Sequence, residues 1–304
     1  MKTKLILTLV LIGVFGIEVK GCDVCGGGMG ANFPGLFTQL KTNYMGLTYM
    51  NSRTSTFHPP DLDDPYKKRK TKENYVGLTI LGQMNFTEKW QGLIMIPYKM
   101  NRRTGAYSRL ENNGMGDVTI GMNYRLIDYS DSAKLMKHFF QVGGGLDIPT
   151  GKFKNYDYDE NVSPALQLTT GGLNYYFSAT YRMRFNSWGW SLNSKYKRFS
   201  SNPDDYKMGD NLNMKMMSFY WKSFKKWTSV MEVNYSVDKS MKNTNGSRVI
   251  KGSERTVQSV GLEFNAFIKR VIIGVGAQVP VLQNVEDEKV TVGNLFTTKF
   301  LITI

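Results

Sequence analysis

The chain has 304 residues, a formal charge of +14, 41% hydrophobic and 13% aromatic side chains, two cysteines and two histidines. That length suits one large domain, and a metal site, which normally needs three or four ligands, has a single cysteine pair to draw on. The positive charge comes with no basic helix face and no nucleic-acid motif, which argues against a nucleic-acid partner.

The chain opens Met1-Lys-Thr-Lys4, runs apolar from Leu5 to Ile17 and reaches a plausible cut at Val19-Lys-Gly21. A basic end, a short apolar core and small residues at the cut predict a secretory signal over 1–21. Residues 22–40 then form an N-terminal segment, periplasmic or folded into the lumen as a plug. It contains Cys22 and Cys25 and the glycine-rich run Gly26–Gly30. Export permits a local Cys22–Cys25 disulfide. A free or lipid-bearing cysteine and a metal site with His138 are the alternatives. No strand precedes Gly26–Gly30 and no helix follows it, so a phosphate-cradling loop is not expected.

After residue 17 no stretch is apolar enough to cross a bilayer as a helix. Twelve segments alternate apolar and polar residues instead. They are Lys41–Arg53, Lys72–Met84, Trp90–Arg102, Met115–Leu126, Met136–Pro149, Leu173–Arg184, Trp188–Phe199, Asp210–Lys222, Trp227–Lys239, Glu254–Phe267, Val271–Leu282 and Lys289–Ile304. In the fourth, Val118, Ile120, Met122, Tyr124 and Leu126 share one face, and Asp117, Thr119, Asn123 and Arg125 the other. The sixth and eleventh are as clean. The third and eighth are not, and their faces stay unassigned.

Such strands fit a soluble sandwich or a membrane barrel. The connections decide between them. Odd-numbered connections run from 6 to 23 residues and even-numbered ones from 3 to 9. Barrels pair long outer loops with short periplasmic turns, whereas a sandwich has no reason to sort loop length by parity. Trp90, Trp188, Trp190, Trp221 and Trp227 all lie within three residues of a short turn. Gathered at one end, they predict an interfacial girdle. The expected fold is therefore all-β, a single antiparallel transmembrane β-barrel of about 12 strands over 41–304. A mean hydropathy of −0.34 is compatible with it, because only every second side chain meets lipid.

Two segments carry a family resemblance. Gly114-Met-Gly-Asp-Val-Thr-Ile-Gly-Met-Asn-Tyr-Arg-Leu126 and Gly143-Gly-Gly-Leu-Asp-Ile-Pro-Thr-Gly-Lys152 resemble paired strands of the outer-membrane family of the MetA pathway of phenol degradation. The mature start, Cys22 to Phe37, is similar to Bacteroidota transporters of that kind. The resemblance implies a barrel related to passive-uptake proteins. It carries no ligand-contact motif that transfers to residues here. The final Lys299-Phe-Leu-Ile-Thr-Ile304 resembles the terminal signal read by the barrel-assembly machinery.

Inward faces offer the candidate site. Arg125, Arg182, Arg184, Lys195, Lys197 and Lys299 stand against Asp117, Asp147, Glu232 and Glu263. They would either close a narrow lumen as an ion-pair network or line a pore that favours anions. Neither His58 nor His138 has a catalytic setting, so no enzyme and no cofactor are expected. Mature methionines such as Met122, Met183 and Met231 fall on apolar faces and read as lipid-facing packing. The expected partners are outer-membrane lipid, lipopolysaccharide (for the basic run Lys67–Lys70) and a small solute of unknown identity. A non-transporting adhesin, assembly subunit or scaffold is the other functional class that fits.

Overall fold

A computed structural model describes residues 42–58, 69–105, 109–132, 135–153, 166–250, 252–285 and 290–304. The predicted signal, the 22–40 segment with Cys22 and Cys25, and the first half of the Lys67–Lys70 run lie outside them.

Among the described residues sixteen strands form: β1 (Tyr44–His58), β2 (Arg69–Asn85), β3 (Trp90–Thr104), β4 (Arg109–Met115), β5 (Val118–Asp131), β6 (Met136–Ile148), β7 (Asn174–Phe185), β8 (Trp188–Arg198), β9 (Tyr206–Lys207), β10 (Asn211–Ser223), β11 (Thr228–Ser240), β12 (Thr244–Asn245), β13 (Arg248–Val249), β14 (Arg255–Ile268), β15 (Val271–Val285) and β16 (Val290–Thr303). The long strands pair antiparallel with their sequence neighbours, and β16 pairs with β1, Tyr44 opposite Thr303. With β4 and β5 counted as one broken strand, this is a closed twelve-stranded barrel. Closure leaves no unpaired edge, so the backbone meets its own hydrogen-bonding needs in lipid.

The alternation read from the sequence sorts the side chains. Ile120, Met122, Phe177, Val275, Val279, Phe300 and Ile302 are exposed outward, while Thr119, Asn123, Thr180 and Lys299 are buried inward. A one-residue slip would turn every such strand inside out, and this pins the register.

Three departures from the predicted elements have local causes. The stretch Arg103–Gly114, expected as a loop, extends β3 and forms β4, with Arg103 opposite Leu110. Between the Tyr98–Met115 and Met95–Thr119 pairs the ladder breaks at Gly116-Asp117, and the Gly116 N–H donates to the Pro97 carbonyl at 2.8 Å. Pro97 has no N–H to continue the ladder, so the partner chain slips by a residue. The turn expected over Ile127–Leu135 shortens because β5 bulges between Arg125 and Ile127. Leu126 and Ile127 both face out as a result, and the strand runs on to Asp131. Lastly, the outer connections Ser200–Gly209 and Ser240–Ser253 zip into a small sheet of β9, β12 and β13. It is pinned by Asn243, whose amide donates to the Tyr206 hydroxyl at 2.7 Å and whose carbonyl accepts from the Gly209 N–H at 2.8 Å.

The aromatic girdle needs one correction. Trp90, Trp188 and Trp190 are exposed on the outer face, and Trp90 leans on Tyr124 and Trp188 on Tyr220. Trp221 instead shares the inward parity of Phe219 and packs with Phe219, Val230 and Phe267. Sequence distance from a turn does not tell the two sides of a strand apart.

Candidate functional site

The lumen contains three layers. At the periplasmic end, inward Tyr44, Leu81, Leu93, Met95, Ile272 and Leu301 form an apolar cluster on β1–β3, β15 and β16. Phe267 packs against it and also against Phe219 and Val230 on β10 and β11. Apolar side chains thus run around the inside from β10 through β16 to β3. On the remaining wall the arginines lie over rings: Arg125 over Phe139 at 5.4 Å, Arg182 over Phe219 at 5.1 Å and Arg184 over Trp221 at 5.5 Å. A guanidinium keeps its charge while stacking on an aromatic face. Arg125 also donates to the Glu88 carbonyl at 2.6 Å and faces Asp128 at 3.5 Å.

The middle layer is charged. Lys197 pairs with Asp147 at 2.5 Å, and the other oxygen of Asp147 accepts from Thr119 at 2.5 Å. Lys299 pairs with Glu263 at 2.6 Å, while the Asn265 amide bridges Glu232 at 3.0 Å and Glu263 at 3.1 Å. Gly274 makes room for Asn265: a Cβ there would sit 2.3 Å from its side-chain oxygen. Lys195 lies with its ammonium 4.2 Å from the centroid of Tyr176.

We expect Lys299→Met to destabilise the barrel by about 3 kcal/mol, because it strands a buried carboxylate. Thermal unfolding in detergent, followed by circular dichroism, would show the loss. Adding Glu263→Gln should recover most of it, and a double variant as unstable as the single one would refute the pairing energetics.

The outer layer was not expected. Residues 166–170, which the sequence placed in a long outer loop, fold inside the barrel mouth. From the foot of β7 they reach past β6 and β5 to the inner wall of β2–β4. Leu166 packs on Tyr75 and Leu110, and its carbonyl accepts from Asn101 at 3.2 Å and Asn112 at 2.9 Å. Lys99 donates to the Leu168 carbonyl at 2.7 Å. Asp117 accepts from the hydroxyls of Thr169 and Thr170, the latter at 3.0 Å. Beside this segment Arg103 pairs with Glu73 at 2.6 Å, and Arg255 faces Asp238 at 3.5 Å. Farther along the β3–β4 ladder, Glu111 pairs with Arg109 at 2.6 Å and with Arg102 at 2.7 Å.

All ten charged residues chosen from the sequence fall on inward-facing strand positions or, for Asp117, at the β4–β5 break. They do not form one constellation. Asp117 belongs to the infolded segment, Arg125, Arg182 and Arg184 to the periplasmic wall, and the others to the middle. Sequence reasoning missed Lys99, Lys215, the Glu73–Arg103 pair and the infolded segment. Lys99 and Lys215 lie on the third and eighth predicted strands, whose alternation was blurred. In the eighth, Met217 and Phe219 turn inward to the apolar layer while Met214 and Met216 face out, so both faces read as apolar. His138 lies on the outer surface beside Tyr129 and Tyr181, with its Nδ1 2.8 Å from the Tyr181 hydroxyl. Among the described residues no group of three His, Cys, Asp or Glu could hold a metal, and the two cysteines of that expectation lie outside them.

A closed antiparallel cylinder with an apolar exterior and a polar, ion-paired interior is an outer-membrane β-barrel. Residues 71–300 match the family described as "Putative MetA-pathway of phenol degradation", and the chain belongs to that family. The structure is similar to an outer membrane channel from Pseudomonas putida F1, with a TM-score of 0.63 at 15% identity, covering 86% of this chain and 96% of that one. Weaker likeness extends to the β domain of the Bordetella autotransporter BrkA, at 6% identity and TM-score 0.47 over 86% of this chain and all (100%) of the other. The NanC porin gives 8% identity and TM-score 0.41 over 84% and 100%. Among curated proteins none matches the sequence.

Proposed function

We propose that this barrel is a passive channel of the outer membrane for small solutes, selective through its inward charges and its infolded segment, and that it carries out no chemistry. One observation supports this most directly: within a lipid-facing cylinder, the middle of the lumen is lined by charged and amide side chains. Charges are retained there only where water or an opposite charge reaches them. On the β7, β8 and β10 wall, cations outnumber carboxylates, which favours anions over cations. In a planar bilayer, purified protein should give small steps whose reversal potential in a salt gradient indicates anion preference. Absence of both conductance and liposome swelling would overturn the reading.

A non-transporting barrel serving as adhesin, assembly subunit or scaffold is favoured by a different observation. Asn193, Asn234, Glu232 and Asn265, all inward in mid-barrel, are almost inaccessible, as expected of a side-chain-filled lumen. A sealed barrel that co-purifies with a stable partner would support it. Lipid, lipopolysaccharide and the assembly machinery are the partners proposed for either case. A Bacteroidota source is proposed from the resemblance of the mature start alone.

A further inference from the structure

The outward face of β1–β4 changes character level by level. The register aligns Tyr49, Leu78, Tyr98 and Met115 in one row across the four strands, and all four are exposed. Toward the outer end the next outward row is Asn51, Val76, Met100 and Asn113. Above it Arg53, Asn74, Arg102 and Glu111 align, and beyond them Ser55, Lys72, Thr104 and Arg109. The two upper rows thus bring four cations to one surface, and Arg53, Lys72, Arg102 and Arg109 are all exposed.

The carboxylates at this level do not balance them. Glu111 is shared by Arg102 and Arg109. Glu73 is buried on the inner face, where Arg103 holds it. Among the described residues no carboxylate lies within ion-pairing distance of Arg53 or Lys72. Four cations therefore stand against one carboxylate. Adjacent strands lie about 4.8 Å apart, so the row from Arg53 to Glu111 spans about 14 Å of barrel wall.

Position separates this patch from ordinary solvated charge. Tyr49 and Tyr98 lie in the last fully apolar row, as aromatic residues do where acyl chains give way to headgroups. Arg53 and Arg102 follow four residues further along the same strands, on the same face. With strand tilt that places them about 10 Å higher along the barrel axis. A lipid lying against these strands has hydrocarbon for its chains and, directly above, positive charge for its headgroup.

We infer that the outward face of β1–β4 is a binding site for a phosphate-bearing lipid of the outer leaflet. Its phosphates lie among Arg53, Lys72, Arg102 and Arg109, and its acyl chains along the Tyr49 row. A guanidinium holds phosphate through a forked pair of hydrogen bonds, and lysine adds a point charge. The site gives the lipid partner proposed above a fixed place, and it stands whether or not the lumen conducts.

Native mass spectrometry of the detergent-solubilised full-length barrel, titrated with lipid A, tests the site. Lipid A with both phosphates should leave a retained adduct, and its dephosphorylated form at least fivefold less. Arg53→Gln/Lys72→Gln/Arg102→Gln should lower the adduct at least fivefold while the barrel keeps its heat-modifiable mobility. Arg198→Gln/Lys239→Gln removes two exposed cations from β8 and β11 and should leave the adduct unchanged. Equal adducts with the two forms of the lipid, an undiminished adduct in the folded triple variant, or an equal loss in the β8/β11 variant overturns the site. Excess inorganic phosphate should not displace the lipid; displacement would assign the patch to free phosphate and overturn the lipid reading.

Discussion

Gly46→Val is expected to stop the barrel from closing. Gly46 on β1 lies opposite Leu301 on β16, at the seam where the chain's first and last strands meet. A Cβ on Gly46 would fall 2.1 Å from the Phe300 carbonyl oxygen and 2.6 Å from the Leu301 Cα. Both obstacles are backbone, so no side-chain rotation relieves them. Overpacking a tight site costs about 1–3 kcal/mol when side chains can adjust, and a fixed main chain pushes the cost to the top of that range or beyond. The seam is also the pairing most distant in sequence, so it gains nothing from local structure already formed. Unboiled samples of the variant should migrate on SDS gels with the mobility of the unfolded chain and should be digested by protease. A compact, heat-modifiable band like that of the wild type would show that the seam tolerates a side chain.

Releasing the infolded segment should have the largest effect on permeation. Asn101 and Asn112 hold the Leu166 carbonyl, and each bond contributes about 1 kcal/mol net. Removing both with Asn101→Ala/Asn112→Ala takes away about 2 kcal/mol and leaves that carbonyl without its two side-chain donors. The segment should then spend much of its time out of the mouth, and single-channel conductance should rise severalfold. Asn113→Ala, an exposed neighbour on the opposite face of β4, should leave conductance unchanged. Equal conductance in the double variant and the wild type would mean that residues 166–170 do not limit the path.

The fold was legible in the sequence because membrane barrels reveal themselves through two regularities, alternation along each strand and parity of loop length. Both come from the bilayer, which demands one apolar face and one long-looped side. The site was legible where polar residues dominate the inner face, as on the strands that carry Asp147, Arg182 and Lys197. Where the lumen turns apolar, as at Met217 and Phe219, the strand loses its contrast and its buried lysine was overlooked. The infolded segment left no trace, since Leu166-Gln-Leu-Thr-Thr170 has the look of any loop until Asn101, Asn112 and Asp117 come together beneath it. Such contacts join residues more than fifty positions apart, and periodicity does not register them.

The oily layer at the periplasmic end is an arc and not a ring. It covers the inner wall from β10 through β16 to β3, and the facing arc holds Arg125, Arg182 and Arg184 over aromatic rings. Anything passing that level meets hydrocarbon along one flank and guanidinium along the other, so a guest with one greasy end and one anionic end finds a match for both.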